Sequence, residues 1–176
     1  MKRTYLLALA LILLISSCKK DNDAYYIRCS IEGVARTFNV MTYPIKEPDP
    51  ATQRYGIGSG GLATSDTEGD WFGFWIDNIP SGDEIVAGTY TGTMADFGLL
   101  GTFTDATAGH DWYGGSSVEE DAVTYSVPIA NHFTVTIQSI DGNSIKGTFS
   151  GDFYADGDPR EAKKSITNGE FHLKFR

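Results

Sequence analysis

Apolar and polar side chains alternate with a period of two through three runs near the C-terminal end of the chain. Phe133, Val135 and Ile137 share one side; Ile145, Gly147, Phe149, Gly151 and Phe153 continue it after a turn at Asp141-Gly142-Asn143; Phe171, Leu173 and Phe175 close the series. Thr134, Thr136, Gln138, Lys146, Thr148, Ser150, Asp152, Glu170, His172 and Lys174 fall on the opposite side. Successive side chains leave a strand on opposite faces, so this pattern predicts antiparallel strands with one dry and one wet side. The same alternation places Ile27, Cys29 and Ile31 on one face of a strand over Tyr25–Glu32, and the turn at Glu32-Gly33-Val34 leads into a partner strand over Ala35–Thr42.

Further along, Pro44, Pro48 and Pro50 alternate with charged residues and predict a surface loop. Gly56, Gly58, Gly60 and Gly61 mark a strand of small side chains between Tyr55 and Ala63, and Trp71–Asp77 is a strand apolar on both faces. Gly88-Thr89-Tyr90-Thr91-Gly92, Gly101-Thr102-Phe103-Thr104 and Gly147-Thr148-Phe149-Ser150-Gly151 each read as a strand with a central aromatic, at spacings too unequal for a repeat protein. Turns are expected at Pro80-Ser81-Gly82-Asp83 and Ala95-Asp96. Alternation is lost from Asp105 to Asp121, which predicts a long loop over Ala106–Glu120, and no stretch after the first twenty residues keeps a helical period. The expectation is an all-β fold: a single antiparallel β-sandwich of about nine or ten strands over residues 25–176, with a β-barrel as the alternative.

The chain has 176 residues, enough for one domain with a substantial core, and 20 glycines suit its many turns. Its formal charge is −9; without Lys2 and Arg3, 12 basic residues face 23 acidic ones, giving −11. Such a surface repels nucleic acid and anionic headgroups, so nucleic acid is excluded as a partner.

The N-terminus changes the picture more than the composition does. Lys2 and Arg3 precede an apolar run from Tyr5 to Ile15, too short to span a bilayer, and then Ser16-Ser17-Cys18. This is the build of a secretory signal, residues 1–17, rather than of a membrane helix. The ending Ile15-Ser16-Ser17-Cys18 resembles the bacterial lipobox, in which the cysteine receives a diacylglyceryl group and palmitate and becomes the first mature residue. That resemblance implies lipidation at Cys18, a membrane partner through the lipid, and a short tether over residues 18–24, in which about six residues reach at most roughly 20 Å. Lys19-Lys20-Asp21-Asn22-Asp23 resembles the signal that sends lipoproteins of Bacteroidota to the outer face of the outer membrane. With Cys18 so used, Cys29 has no disulfide partner and is expected to be a small buried hydrophobe.

Candidate chemistry is sparse. The three histidines His110, His132 and His172 lack zinc spacing, the chain has no His-Glu-x-x-His and no Gly-x-Ser-x-Gly, and the acidic turns at 66–70 and 156–158 do not complete a calcium loop. No catalytic residue, cofactor or metal is therefore expected. Two aromatic features could hold a ligand. The Ala106–Glu120 segment carries His110, Asp111, Trp112 and Tyr113, with Trp112 either a binding residue or a lid over the core. Trp71-x-Gly73-x-Trp75 is either part of a doubly covered strand or a shelf on which sugar rings stack.

Taken together, the lipobox, Ile31-Glu32-Gly33, an internal Gly-Thr-Tyr, Ile145-Lys146-Gly147-Thr148-Phe149-Ser150-Gly151 and Ile166-Thr167-Asn168-Gly169-Glu170-Phe171 resemble the small all-β lipoproteins of Bacteroidota that form a domain of unknown function. The resemblance implies a β-sandwich-like body and brings no catalytic residues. The expected function is a non-enzymatic, surface-exposed outer-membrane lipoprotein that binds a glycan or an envelope protein. The alternatives are a structural envelope component and a hydrolase with a carboxylate pair that leaves no sequence spacing.

Overall fold

A computed structural model describes residues 25–48, 55–63, 69–78, 84–93 and 97–175. The leader, Cys18 and the 18–24 tether lie outside the described residues, as do Pro50 and the turns at Pro80-Ser81-Gly82-Asp83 and Ala95-Asp96, and most of the acidic turn at 66–70. Among the described residues, no helix is long and apolar enough to cross a membrane.

The described chain is all-β, with eleven strands and one short helix. In chain order the strands are β1 (Tyr26–Ile31), β2 (Val34–Phe38), β3 (Val40–Pro48), β4 (Tyr55–Leu62), β5 (Trp71–Asn78), β6 (Gly88–Thr91), β7 (Phe97–Asp105), β8 (His110–Gly115), β9 (Thr134–Ile140), β10 (Ser144–Ala155) and β11 (Lys163–Lys174). The helix, α1, is Ser116–Tyr125. One antiparallel sheet runs in the order β2-β1-β11-β10-β8-β7-β5-β4-β3. It branches at β10, which pairs with β9 through its first half and with β8 through Tyr154 and Ala155; β9 in turn carries β6.

The sheet curls on itself. Its two outermost strands, β2 and β3, are consecutive in the chain with Asn39 alone between them, and the Asn39 amide donates to the Leu62 carbonyl at 3.2 Å. Curling brings β5 opposite β10 and β11, although β7 and β8 separate β5 from β10 within the sheet. Phe72 stacks on Phe149 at 4.8 Å, Phe74 meets Phe171 at 4.9 Å, and Phe133 meets Phe153 edge-on at 4.9 Å. The two expected layers are therefore opposite walls of one rolled sheet. Phe149, Phe153, Phe171 and Phe175 all lie in the core, because alternation sends every second side chain of β10 and β11 inward.

Turn chemistry follows the sequence closely. Ile31 pairs with Val34 across a two-residue turn in which Glu32 and Gly33 both have positive φ, 51° and 77°, the type I′ geometry that matches strand twist. At the β9–β10 turn the Asp141 carboxylate accepts from the Asn143 and Ser144 amides, both at 2.7 Å.

Two expectations about irregular segments are corrected. The proline-bearing stretch enters β3, which tolerates Pro44 and Pro48 because it is an edge strand, with its register against β4 shifting between Thr42 and Ile45. The long loop over Ala106–Glu120 does not exist as such: residues 106–109 are a tight turn, His110–Gly115 is β8, and α1 begins at Ser116. Gly115 makes that strand-to-helix switch. Its φ is 116°, and a side chain there would run into the Leu99 carbonyl. The helix buries only Val118 and Ala122, so its period is too thin to read from sequence.

Cys29 is buried, and burial pushes its thiol up to about 12. The folded chain thus holds the proton that the unfolded chain releases above its ordinary value of 9.0, so this contribution is complete below about 9 and is lost as pH rises toward 12. Native protein at pH 8.5 is expected to resist iodoacetamide and to react at once in urea. Rapid labelling of the native form would show that the thiol is accessible.

Candidate functional site

The outward face of β4, β5, β7 and β8 carries Trp71, Trp75 and Tyr113, aromatic residues that lie outside the core. Cross-strand pairing defines its rows. Leu62, Trp71, Thr104 and Asp111 form one; Gly60, Gly73, Thr102 and Tyr113 the next; Gly58, Trp75, Leu100 and Gly115 the third. On the other face Phe72, Phe74, Ile76, Leu99 and Phe103 are buried.

The glycines of β4 explain the indoles of β5. A methyl group at Gly58 would collide with the benzo ring of Trp75, and one at Gly60 with the indole of Trp71. Each ring therefore lies across a neighbouring strand where no side chain stands in its way, the arrangement by which an aromatic covers a glycine in a sheet. Trp75 remains 38% exposed and its cross-strand neighbour Leu100 39%. Trp71 is half-buried.

Beside the indoles is a polar corner. Thr104 Oγ1 donates to Asp111 Oδ1 at 2.7 Å, and the Tyr113 hydroxyl donates to Asp111 Oδ2 over a longer 3.4 Å. Burial, and then the Asp111 carboxylate, raise the Tyr113 phenol above its ordinary value, so it stays a protonated donor. Asp111 offers acceptor capacity and Tyr113 and Thr104 offer hydroxyls, the mixture that recognises hydroxyl-rich ligands.

Of the six residues singled out by sequence, the fold brings Trp71, Trp75, Asp111 and Tyr113 to one face and leaves two off it. Trp112 has the opposite parity on β8 and is 8% exposed within the core. Among the described residues its Nε1 has no hydrogen-bond partner, and the Lys164 ammonium stands 4.6 Å from its ring centroid while reaching Asp105 at 3.4 Å. Trp112 thus packs as the lid of the two readings. His110 shares its parity, at the exposed start of β8. Leu100, Thr102 and Thr104 are not among the expected site residues; their Gly-Leu-Leu-Gly-Thr-Phe-Thr context looks like ordinary strand, and only pairing with β5 shows that they adjoin the tryptophans.

Other polar groups have structural partners. Asp152, buried on β10, accepts from Lys163 Nζ at 2.6 Å, Ser165 Oγ at 3.0 Å and Asn131 Nδ2 at 3.3 Å, joining β11 and the β9 approach to β10. Among the described residues no group of three His, Cys, Asp or Glu side chains is placed to hold a metal.

No family model, curated protein or solved structure matches the chain.

Proposed function

We propose that the protein is a lipid-anchored envelope module that binds a glycan on the outer face of β5. What carries this reading is the pair of indoles laid across the glycines of β4 on a face that the core leaves uncovered. An indole presents a large flat surface to the C–H side of a sugar ring, and Asp111, Thr104 and Tyr113 stand beside it to exchange hydrogen bonds with hydroxyls. Anchoring through Cys18 and display on the cell surface come from the leader and from the Lys19-Lys20-Asp21-Asn22-Asp23 segment.

The test compares two tryptophans with opposite roles, using the full chain in a detergent without a sugar headgroup. Trp75→Ala is expected to weaken retention on a glycan array at least tenfold, about 1.4 kcal/mol, while unfolding free energy falls by about 1 kcal/mol or less. Trp112→Ala is expected to do the reverse, costing about 3–5 kcal/mol of stability and leaving the affinity of the folded fraction unchanged. Unaltered glycan retention in Trp75→Ala would sink the proposal.

A further inference from the structure

Resting on the proposed lipid anchor at Cys18 and not on the glycan platform, we infer that one end of the rolled sheet docks on the headgroup layer of the bilayer that holds the acyl chains. This end carries Tyr25, the Asp141-Gly142-Asn143 turn and Lys174, and docking there turns the Asp111 end away from the membrane. Strand pairing fixes which residues share an end. Tyr26 pairs with His172 and His172 with Lys146, so β1 and β10 begin where β11 finishes. The Phe175 amide donates to the Asn143 carbonyl at 2.8 Å and ties the β9–β10 turn to the same place. At the opposite end Ala155 pairs with Trp112, and the Asp156 amide donates to the Asp111 carbonyl at 3.0 Å. From Lys146 to Ala155, β10 spans ~30 Å.

The chain leaves toward Cys18 from a held position. His172 is buried; the Tyr25 ring meets it edge-on at 5.2 Å and the Tyr26 ring at 6.4 Å, while the Arg28 guanidinium lies 3.8 Å from the Tyr26 centroid and pairs with Glu170 at 2.5 Å. The tether over residues 18–24 reaches at most roughly 20 Å, so Tyr25 stands within that distance of the headgroups. With the Asp111 end on the membrane, Tyr25 would be ~30 Å from it, beyond the tether. The Tyr25 end also has suitable chemistry. Tyr25 is 36% exposed, and its side chain joins an apolar ring to a polar tip, the combination that settles at a membrane–water interface. Lys146 and Lys174 are exposed, and their stems can carry an ammonium to lipid phosphates. The row of Trp71, Thr104 and Asp111 then lies at the free end, where a glycan is met from the solvent side.

The experiment uses the full chain, purified from membranes and reconstituted in phosphatidylcholine vesicles that carry a nitroxide on a fraction of their headgroups. A bimane label is placed through Gly142→Cys at the docking end, Ala108→Cys at the far end or Val123→Cys on α1. Nothing lies within 4 Å of a Cβ added at Gly142, Ala108 and Val123 are exposed, and Cys29 is buried and escapes the label. Because the two ends are ~30 Å apart, quenching by the headgroup nitroxide is expected to be about threefold or more stronger at Gly142 than at Ala108, with Val123 between them. Adding Tyr25→Ser is expected to weaken quenching at Gly142 about twofold while the acyl chains keep the protein on the vesicles. Quenching at Ala108 as strong as at Gly142, strongest quenching at Val123, or none at any label on vesicle-bound protein would overturn the docking and leave the anchor standing. Unchanged quenching at Gly142 in Tyr25→Ser would overturn the contact given to Tyr25. Protein that does not stay with the vesicles and has no acyl mass on its Cys18 peptide would overturn the anchor and this inference together.

Discussion

Phe72→Ala is expected to lower the unfolding free energy by about 3–5 kcal/mol. Phe72 is fully buried at the centre of the rolled sheet. It touches Phe38 of β2 at 5.7 Å, Phe149 of β10 at 4.8 Å and Phe153 of β10 at 5.8 Å, so one ring links β5 to the opposite wall and to the strand that closes the curl. Truncation removes buried apolar surface and leaves a cavity whose lining belongs to three strands, which cannot all collapse inward together. Against a total of about 5–15 kcal/mol for a domain, a large share of stability is lost. Urea unfolding followed by tryptophan fluorescence measures it, and Val34→Ala, on the exposed edge strand β2, serves as control with a change within about 0.5 kcal/mol. A loss below about 1 kcal/mol for Phe72→Ala would mean that the two walls do not share this core.

Cys18→Ser is expected to move the protein from the membrane fraction to the soluble fraction altogether. Burial of acyl chains contributes about 0.8 kcal/mol per methylene, and more than one chain is needed for stable anchoring. Under the proposed lipidation, replacing the Cys18 thiol removes the whole of that term, and the short apolar run from Tyr5 to Ile15, part of the proposed signal, does not replace it. Fractionation, with the mass of the N-terminal peptide, reads the result. Unchanged membrane association of the variant would refute lipid anchoring at this position without touching the proposed glycan platform, which is built on β4, β5, β7 and β8.

Local signals carried much of the fold. The alternation of β10 and β11 predicts which phenylalanines are inside, because a strand inverts its side chains at every residue and a register slip would expose all of them at once. Glu32-Gly33 and Asp141-Gly142-Asn143 announce their turns, and both form as expected. The loop expected over Ala106–Glu120 is instead strand and helix, hidden from the sequence for two reasons. His110–Gly115 is a short strand ending in two glycines, which blunts its alternation, and α1 shows one apolar pair, Val118 and Ala122, too few for a period. Pro44 argued against a strand, yet an edge strand with a register shift needs no amide there.

By itself, the sequence determined the strand class, the turns at Glu32-Gly33 and Asp141-Gly142-Asn143, and the pairing of Trp71 with Trp75 on one side and Phe72 with Phe74 on the other. Only the tertiary structure decided which side of β5 faces water, since a strand apolar on both faces has no preferred inside until a second wall covers one of them. It also decided that Asp111 and Tyr113 join the tryptophans while Trp112 leaves them. Parity separates neighbours along a strand by a half-turn, but which strands lie side by side is set by long-range pairing, and no short stretch of chain contains that information.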